Sequence, residues 1–208
     1  MMKHVKTAII VLLAFFALGA WGQPSEAQVR QRIAQAAQQM KSLQCDFVQT
    51  KQLRMLNDKM VAEGRMYYSQ ADKLRWEYVK PYQYIFIMNG GRVLLKNKER
   101  SDVINVAQNK LFREIARIMM GSMVGSCLDD SRTFNTTIAA GKGEWVATLV
   151  PRRKDMKQMF QRIILHFDPQ QATVSRVELV EKNGDLTTID LKNIRKNETI
   201  DSRTFAVE

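Results

Sequence analysis

Between Ser25 and Lys41, Val29, Ile33, Ala36, Ala37 and Met40 recur at spacings of three and four with Gln and Arg between them, which predicts an amphipathic helix. Ser25 stands as its N-cap, with Glu26 favourable in the first turn. From Leu43 the period drops to two. Leu43, Cys45 and Phe47 alternate with Gln44, Asp46 and Val48, and Asn57-Asp58 turns the chain into a second run from Lys59 to Ser69. A third run, Lys73 to Val79, puts Leu74, Trp76 and Tyr78 on one face and Lys73, Arg75 and Glu77 on the other, and Pro81 ends it. Tyr82 to Met88 is apolar on both faces, which predicts a strand covered on both sides or bordering a cavity. Asn89-Gly90-Gly91 then turns into a short strand, Arg92 to Lys96.

A helical period returns from Val106 to Met120, with Leu111, Ile115, Ile118 and Met119 on one face, and Gly121, Gly125 and Asp129 to Arg132 release it. Strands follow at Thr133–Ala140, Glu144–Pro151, Phe160–Phe167, Ala172–Glu181, Asp185–Ile194 and Thr204–Val207; Asn183-Gly184 between two of them is the strongest hairpin signal in the chain. About eleven strands with hairpin-length connections predict a mostly β fold, an antiparallel meander that must curl or close on itself. No linker or internal repeat divides residues 23–208, so they form a single domain.

The first twenty-two residues stand apart from this pattern. Lys3 and Lys6 precede an apolar stretch from Thr7 to Leu18, and Ala20-Trp21-Gly22 supplies a small-x-small cleavage site, so residues 1–22 read as a secretory signal peptide with Gln23 as the mature start. About twelve apolar residues are too few to span roughly 30 Å of hydrocarbon. Across the 208 residues, 32 Lys and Arg face 21 Asp and Glu, a formal net charge of +11. Removing residues 1–22 takes away Lys3 and Lys6 and no acid, leaving +9. The excess is scattered apart from a cluster at Arg152, Arg153, Lys154 and Lys157, which fits an anionic membrane surface better than nucleic acid, so no nucleic-acid partner is expected.

Candidate chemistry is sparse. Cys45 and Cys127 in an oxidising compartment either pair as a disulfide or sit as two buried small hydrophobes. Of two histidines, His166 alone lies in the folded body, opposite Ile163, Leu165 and Phe167 and hence outward. Neither zinc-ligand spacing, nor a nucleophile elbow, nor a phosphate-binding or dinucleotide fingerprint occurs, so no enzyme, metal or cofactor is expected. The positive signal is apolar. Phe47, Met66, Tyr68, Trp76, Tyr78, Phe86 and Met88 crowd one face of the early strands, and Met119, Met120 and Met123 cluster at the end of the central helix. These side chains either fill a solid core, as in small barrels, or line a cavity; in the second case methionine, which adapts to irregular apolar partners, suits a lid over a greasy, variable ligand.

The stretches Leu43-x-Cys45-x-Phe47-x-Gln49, Glu63-Gly64-x-Met66, Leu74-Arg75-Trp76-Glu77-Tyr78-x-x-Pro81 and Asn89-Gly90 resemble the N-terminal half of the LolA family, periplasmic carriers of outer-membrane lipoproteins. Phe160-x-x-Ile163-x-Leu165-x-Phe167, the Asn183-Gly184 turn and Asn197 to Phe205 extend the likeness through the second half. The resemblance implies an unclosed antiparallel barrel with an N-terminal helix and a helical lid. It implies a monomeric periplasmic carrier that takes lipoprotein acyl chains from an inner-membrane ABC-type exporter to an outer-membrane acceptor. The implied cavity residues are Leu43, Phe47, Met66, Leu74, Trp76, Tyr78, Phe86 and Met88, beneath a lid carrying Leu111, Ile115, Ile118, Met119 and Met123. Where better-studied members place an arginine and a proline before the tryptophan, the arginine holding the lid, this chain has Gln70 and Ala71, which leaves Gln70 as the lid contact and marks a divergent member. Carriage of another lipid or glycolipid, or a lipid-sensing periplasmic regulatory module, are the alternatives.

Overall fold

The computed structural model describes residues 23–56, 58–70, 72–105, 110–141 and 143–207, with the side chains of 110–116 excepted. The signal-peptide reading of 1–22 lies outside them. Helix α1 (Glu26–Gln39) begins where the sequence places it, because Ser25 and Gln28 close a reciprocal cap: Ser25 Oγ accepts from Gln28 N at 3.3 Å and Ser25 N donates to Gln28 Oε1 at 2.8 Å. Its Val29 and Ile33 are fully buried.

Eleven antiparallel strands form one sheet. The first group is β1 (Ser42–Leu53), β2 (Asp58–Ser69), β3 (Lys73–Lys80), β4 (Tyr84–Asn89), β5 (Arg92–Asn97) and β6 (Ser101–Asn105); α2 (Lys110–Val124) and a 3-10 helix, Ser126–Asp129, follow. The second group is β7 (Phe134–Ala140), β8 (Trp145–Pro151), β9 (Phe160–Asp168), β10 (Thr173–Glu181) and β11 (Leu186–Lys196), with α3 (Lys154–Met159) before β9 and a second 3-10 helix, Ser202–Phe205, near the end. The spatial order β6-β5-β4-β3-β2-β1-β11-β10-β9-β8-β7 corrects the single meander: two meanders meet where β1 pairs with β11, from Leu43 opposite Lys196 to Gln52 opposite Leu186. Edge strands β6 and β7 do not pair, so the sheet stays unclosed.

One apolar cluster draws on both meanders, from Met88 and Val93 to Phe134, Ala147 and Leu149, with Val29, Ile33 and Val124 from the helices. The sheet therefore wraps around a shared core. Within it Phe47 stacks on Trp76, ring centroids 4.2 Å apart, and this closeness explains Gly64: a Cβ there would lie 2.3 Å from the Phe47 ring and 2.1 Å from the Glu77 carbonyl.

Several expected elements shift. The central helix runs through Gly121 to Val124, since Gly121 lets Cys127 approach (a Cβ would stand 3.1 Å from Cys127 Cβ) rather than stopping the helix. Gly125, in the left-handed region with φ of 80°, ends it and seats against Ile33 and Phe167, where a Cβ would lie 2.9 Å from each. Strand β6 and helix α3 were not expected. Thr204–Val207 is no strand: Asp201 Oδ1 accepts from Arg203 N and starts a 3-10 turn instead. This turn and the residues after it bury Phe205 and Val207 with Ile87 and Leu94 on the outer face. That is the second cover that the two-sided apolar run in β4 requires.

Candidate functional site

Under α2, on the inner face of the sheet, lies an apolar cavity of about 190 Å³. Its sheet wall is made by Gln49, Trp76 and Tyr78 from the first meander and by Phe160, Ile163, Val177, Leu179 and Ile189 from the second. Ile118, Met119, Ser122 and Met123 of α2 form the roof, and Met156 of α3 closes one side. The α2 side chains reach it because positions 118, 119, 122 and 123 share one helical face at spacings of three and four. The strand residues reach it by the two-residue period of the pleat, except Phe160, which stands three residues from Ile163 beside a register shift between β9 and β10.

Polar groups in this lining are few and arranged to leave the void greasy. Tyr78 Oη donates to Gln49 Oε1 at 2.9 Å, across β2 from one strand to another, which satisfies both at the wall. Tyr78 packs edge-on against Phe47 with ring centroids 5.3 Å apart, so Phe47 backs a floor made by Trp76 and Tyr78. Ser122 Oγ lies 3.9 Å from Cys127 Sγ, turned to the loop behind the helix. An apolar ligand meets little here that it would strip of hydrogen bonds.

The roof is tied to the body through Arg117, at the middle of α2. Arg117 Nη1 donates to Asp130 Oδ2 at 2.8 Å and Nη2 to Thr133 Oγ1 at 3.3 Å, while Thr133 N donates to Asp130 Oδ1 at 3.2 Å. Burial raises the Asp130 pKa, but the hydrogen bonds from Thr133 and Arg117 outweigh it and hold the carboxyl below its ordinary value. Gln70 sits elsewhere. It is exposed in the turn between β2 and β3, and its backbone N donates to the Lys41 carbonyl at 2.9 Å.

Of the residues singled out in the sequence, Trp76, Tyr78, Ile118, Met119 and Met123 come together around the cavity. Leu43, Phe47, Met66, Leu74 and Met88 are buried in the packed core and Phe86 is half-buried against it, so they back the cavity rather than line it. Leu111 and Ile115 belong to α2, but their side chains fall outside the described residues. The second-meander wall and Met156 carry no sequence signal beyond ordinary alternation. Cys45 and Cys127 are both free and buried, and burial pushes each thiol up to about 12. His166 faces outward with Glu144 Oε2 at 2.8 Å from Nδ1 and Glu178 Oε1 at 3.4 Å from Nε2. Among the described residues no helix is long and apolar enough to cross a membrane.

A family described as "Outer membrane lipoprotein carrier protein LolA" matches residues 38–208. An outer-membrane lipoprotein carrier protein of Methylococcus capsulatus is 26% identical over 191 residues, which cover 89% of this chain and 86% of the relative. Among solved structures, the MucA/MucB complex of Pseudomonas aeruginosa superposes with a TM-score of 0.52 at 12% identity over 88% of this chain; the match spans only 61% of that chain. An uncharacterized conserved protein from Thermus thermophilus also gives 0.52, at 11% identity, over 87% of this chain and 93% of its own. At such identities the two structures speak to the fold alone.

Proposed function

The chain belongs to the LolA family of outer membrane lipoprotein carrier proteins, and from that premise we propose that it is a non-enzymatic periplasmic carrier that shelters lipoprotein acyl chains beneath α2. The observation that carries this reading is the apolar cavity roofed by a single methionine-bearing helix on an unclosed sheet. In the proposed cycle an inner-membrane ABC-type exporter loads the protein and an outer-membrane acceptor empties it.

The cavity volume bears on how such a cycle works. About 190 Å³ is below the roughly 300 to 1,000 Å³ of a pocket for a drug-sized ligand, so acyl chains enter only when α2 moves. Burying each methylene is worth about 0.8 kcal/mol, and enclosing chains of on the order of forty methylenes without any opposing cost would trap them. Displacing α2 re-exposes Ile118, Met119 and Met123, whose return to the cavity on unloading offsets part of that gain. Three such side chains at about 1.5–3 kcal/mol each offset less than a third of full enclosure, so a releasable load also requires that the acyl chains stay partly unburied.

Protein recovered from its native periplasm, extracted with organic solvent and analysed by mass spectrometry, is expected to yield triacylated peptides. Free lipids or glycolipids in their place would turn the reading to carriage of a different cargo. Photo-crosslinkers at Trp76 and Met119 are both expected to reach the cargo in its presence, and labelling at neither would refute the cavity as the binding site.

A further inference from the structure

Five of the seven large hydrophobic side chains exposed among the described residues lie at one end of the sheet, on two adjacent turns. Met55 is 92% exposed and Leu56 71%, at the tip of the β1–β2 hairpin; Met60 and Val61 follow on its second strand, and Tyr82 stands in the β3–β4 turn next to it. On its β3 side the hairpin projects, while on the other β1 stays paired with β11 up to Gln52. β2 starts at Asp58, yet its pairing with β3 begins only at Glu63 opposite Lys80, so Asp58 to Ala62 extend past β3 by five residues, about 16 Å of strand.

The charge around this prong is positive. Lys51 is paired with Glu181 and Asp185, and Lys80 with Glu63. Beyond those pairs the same end of the sheet carries exposed Arg54, Lys59, Lys98, Lys154, Lys157 and Lys182, against Asp58 and Glu99. The cavity lies toward this end as well: Gln49, Tyr78, Phe160, Leu179 and Ile189 all sit in the halves of their strands that run to it.

We propose that the β1–β2 hairpin is a membrane-docking prong, inserting Met55 and Leu56 into the headgroup–acyl boundary of an anionic phospholipid bilayer while the surrounding lysines and Arg54 engage the lipid phosphates. Apolar tips with a basic collar partition to such interfaces because apolar burial and attraction to anionic headgroups add, and Tyr82 is of the type enriched at that depth. Docked in this way, the protein turns the cavity end of its sheet toward the lipid. The proposal goes beyond carriage, since binding to a bilayer does not depend on what the cavity holds.

The test is flotation of the protein beginning at Gln23, where the described fold starts, with phosphatidylcholine vesicles containing or lacking phosphatidylglycerol. The wild type is expected to float with the phosphatidylglycerol vesicles at low salt and to be released by high salt. Met55→Gln with Leu56→Gln should weaken binding by at least about tenfold. Lys59→Gln should weaken it less and flatten the salt dependence, and Val103→Gln, at an exposed apolar position on β6, should leave it unchanged. Unaltered thermal melting of each variant excludes misfolding. The proposal is overturned if the wild type ignores the phosphatidylglycerol vesicles, or if the double variant floats like the wild type.

Discussion

The molecule covers two apolar surfaces of its sheet in two different ways. On the outer face, Ile87 and Leu94 are closed over by Phe205 and Val207, and that cover is pinned through the main chain: Asn89 Nδ2 donates to the Phe205 carbonyl at 3.0 Å and Arg75 Nη1 to that of Thr204 at 3.4 Å. On the inner face α2 rests over a void, with its apolar side chains against the sheet and Arg117 tied to the loop that follows it. A filled cover bonded to the strands beneath it behaves as core. A helix that rests over a void already lacks part of its packing energy and has less to lose by moving.

The largest expected effect tests the filled cover. Phe205→Ala should lower stability in urea denaturation by about 3–5 kcal/mol while leaving lipid uptake intact. Met123→Ala, under α2, should cost about 2 kcal/mol, the low end for such a truncation, because its neighbours already border empty space. Equal losses at the two positions would erase the distinction. Leu179→Trp, which fills the void, should cut uptake of a fluorescent fatty-acyl probe at least about tenfold with less than about 1 kcal/mol change in stability.

Finer discrimination comes from the thiols. Both are held at about 12 by burial, so at neutral pH each alkylates only when the structure around it opens. Cys127, in the turn behind α2, should react before Cys45, in β1; the reverse order would mean that the sheet opens before the roof. The smallest effect is at Arg117, whose side chain is 44% exposed: Arg117→Ala should cost about 0.2–1 kcal/mol but raise the Cys127 alkylation rate. Because the Asp130 carboxyl titrates below its ordinary value, this tie persists at mildly acid pH and is lost only as pH falls through that lowered value, which a pH series of the same alkylation assay would show.

The strands were legible wherever one face is apolar and the other charged, as in Leu74-Arg75-Trp76-Glu77, because the pleat enforces that alternation. Strand β6 escaped notice, since Ser-Asp-Val-Ile-Asn at a sheet edge buries too little to leave a pattern, and the six residues of α3 are too few to show a helical period. The residues Ile85 to Met88 announced a cover on both faces without naming it; its source lay more than a hundred residues away in sequence. For the cavity, the roof methionines and the Trp76–Tyr78 floor stood out through residue type. Val177 and Leu179 did not, because alternation gives an inward side chain the same signature whether it meets another side chain or a void.

The seam between β1 and β11 has a kinetic consequence. Leu43 pairs with Lys196 in the centre of the sheet, so the pairing that joins the two meanders is also the one most distant along the chain. A polypeptide delivered N-terminus first by a ribosome holds β1 without β11 until Lys196 has emerged. Such long-range closure is slow, and the first meander waits meanwhile with an open edge. The topology thus acts as a timer that keeps the sheet unfinished until β11 arrives.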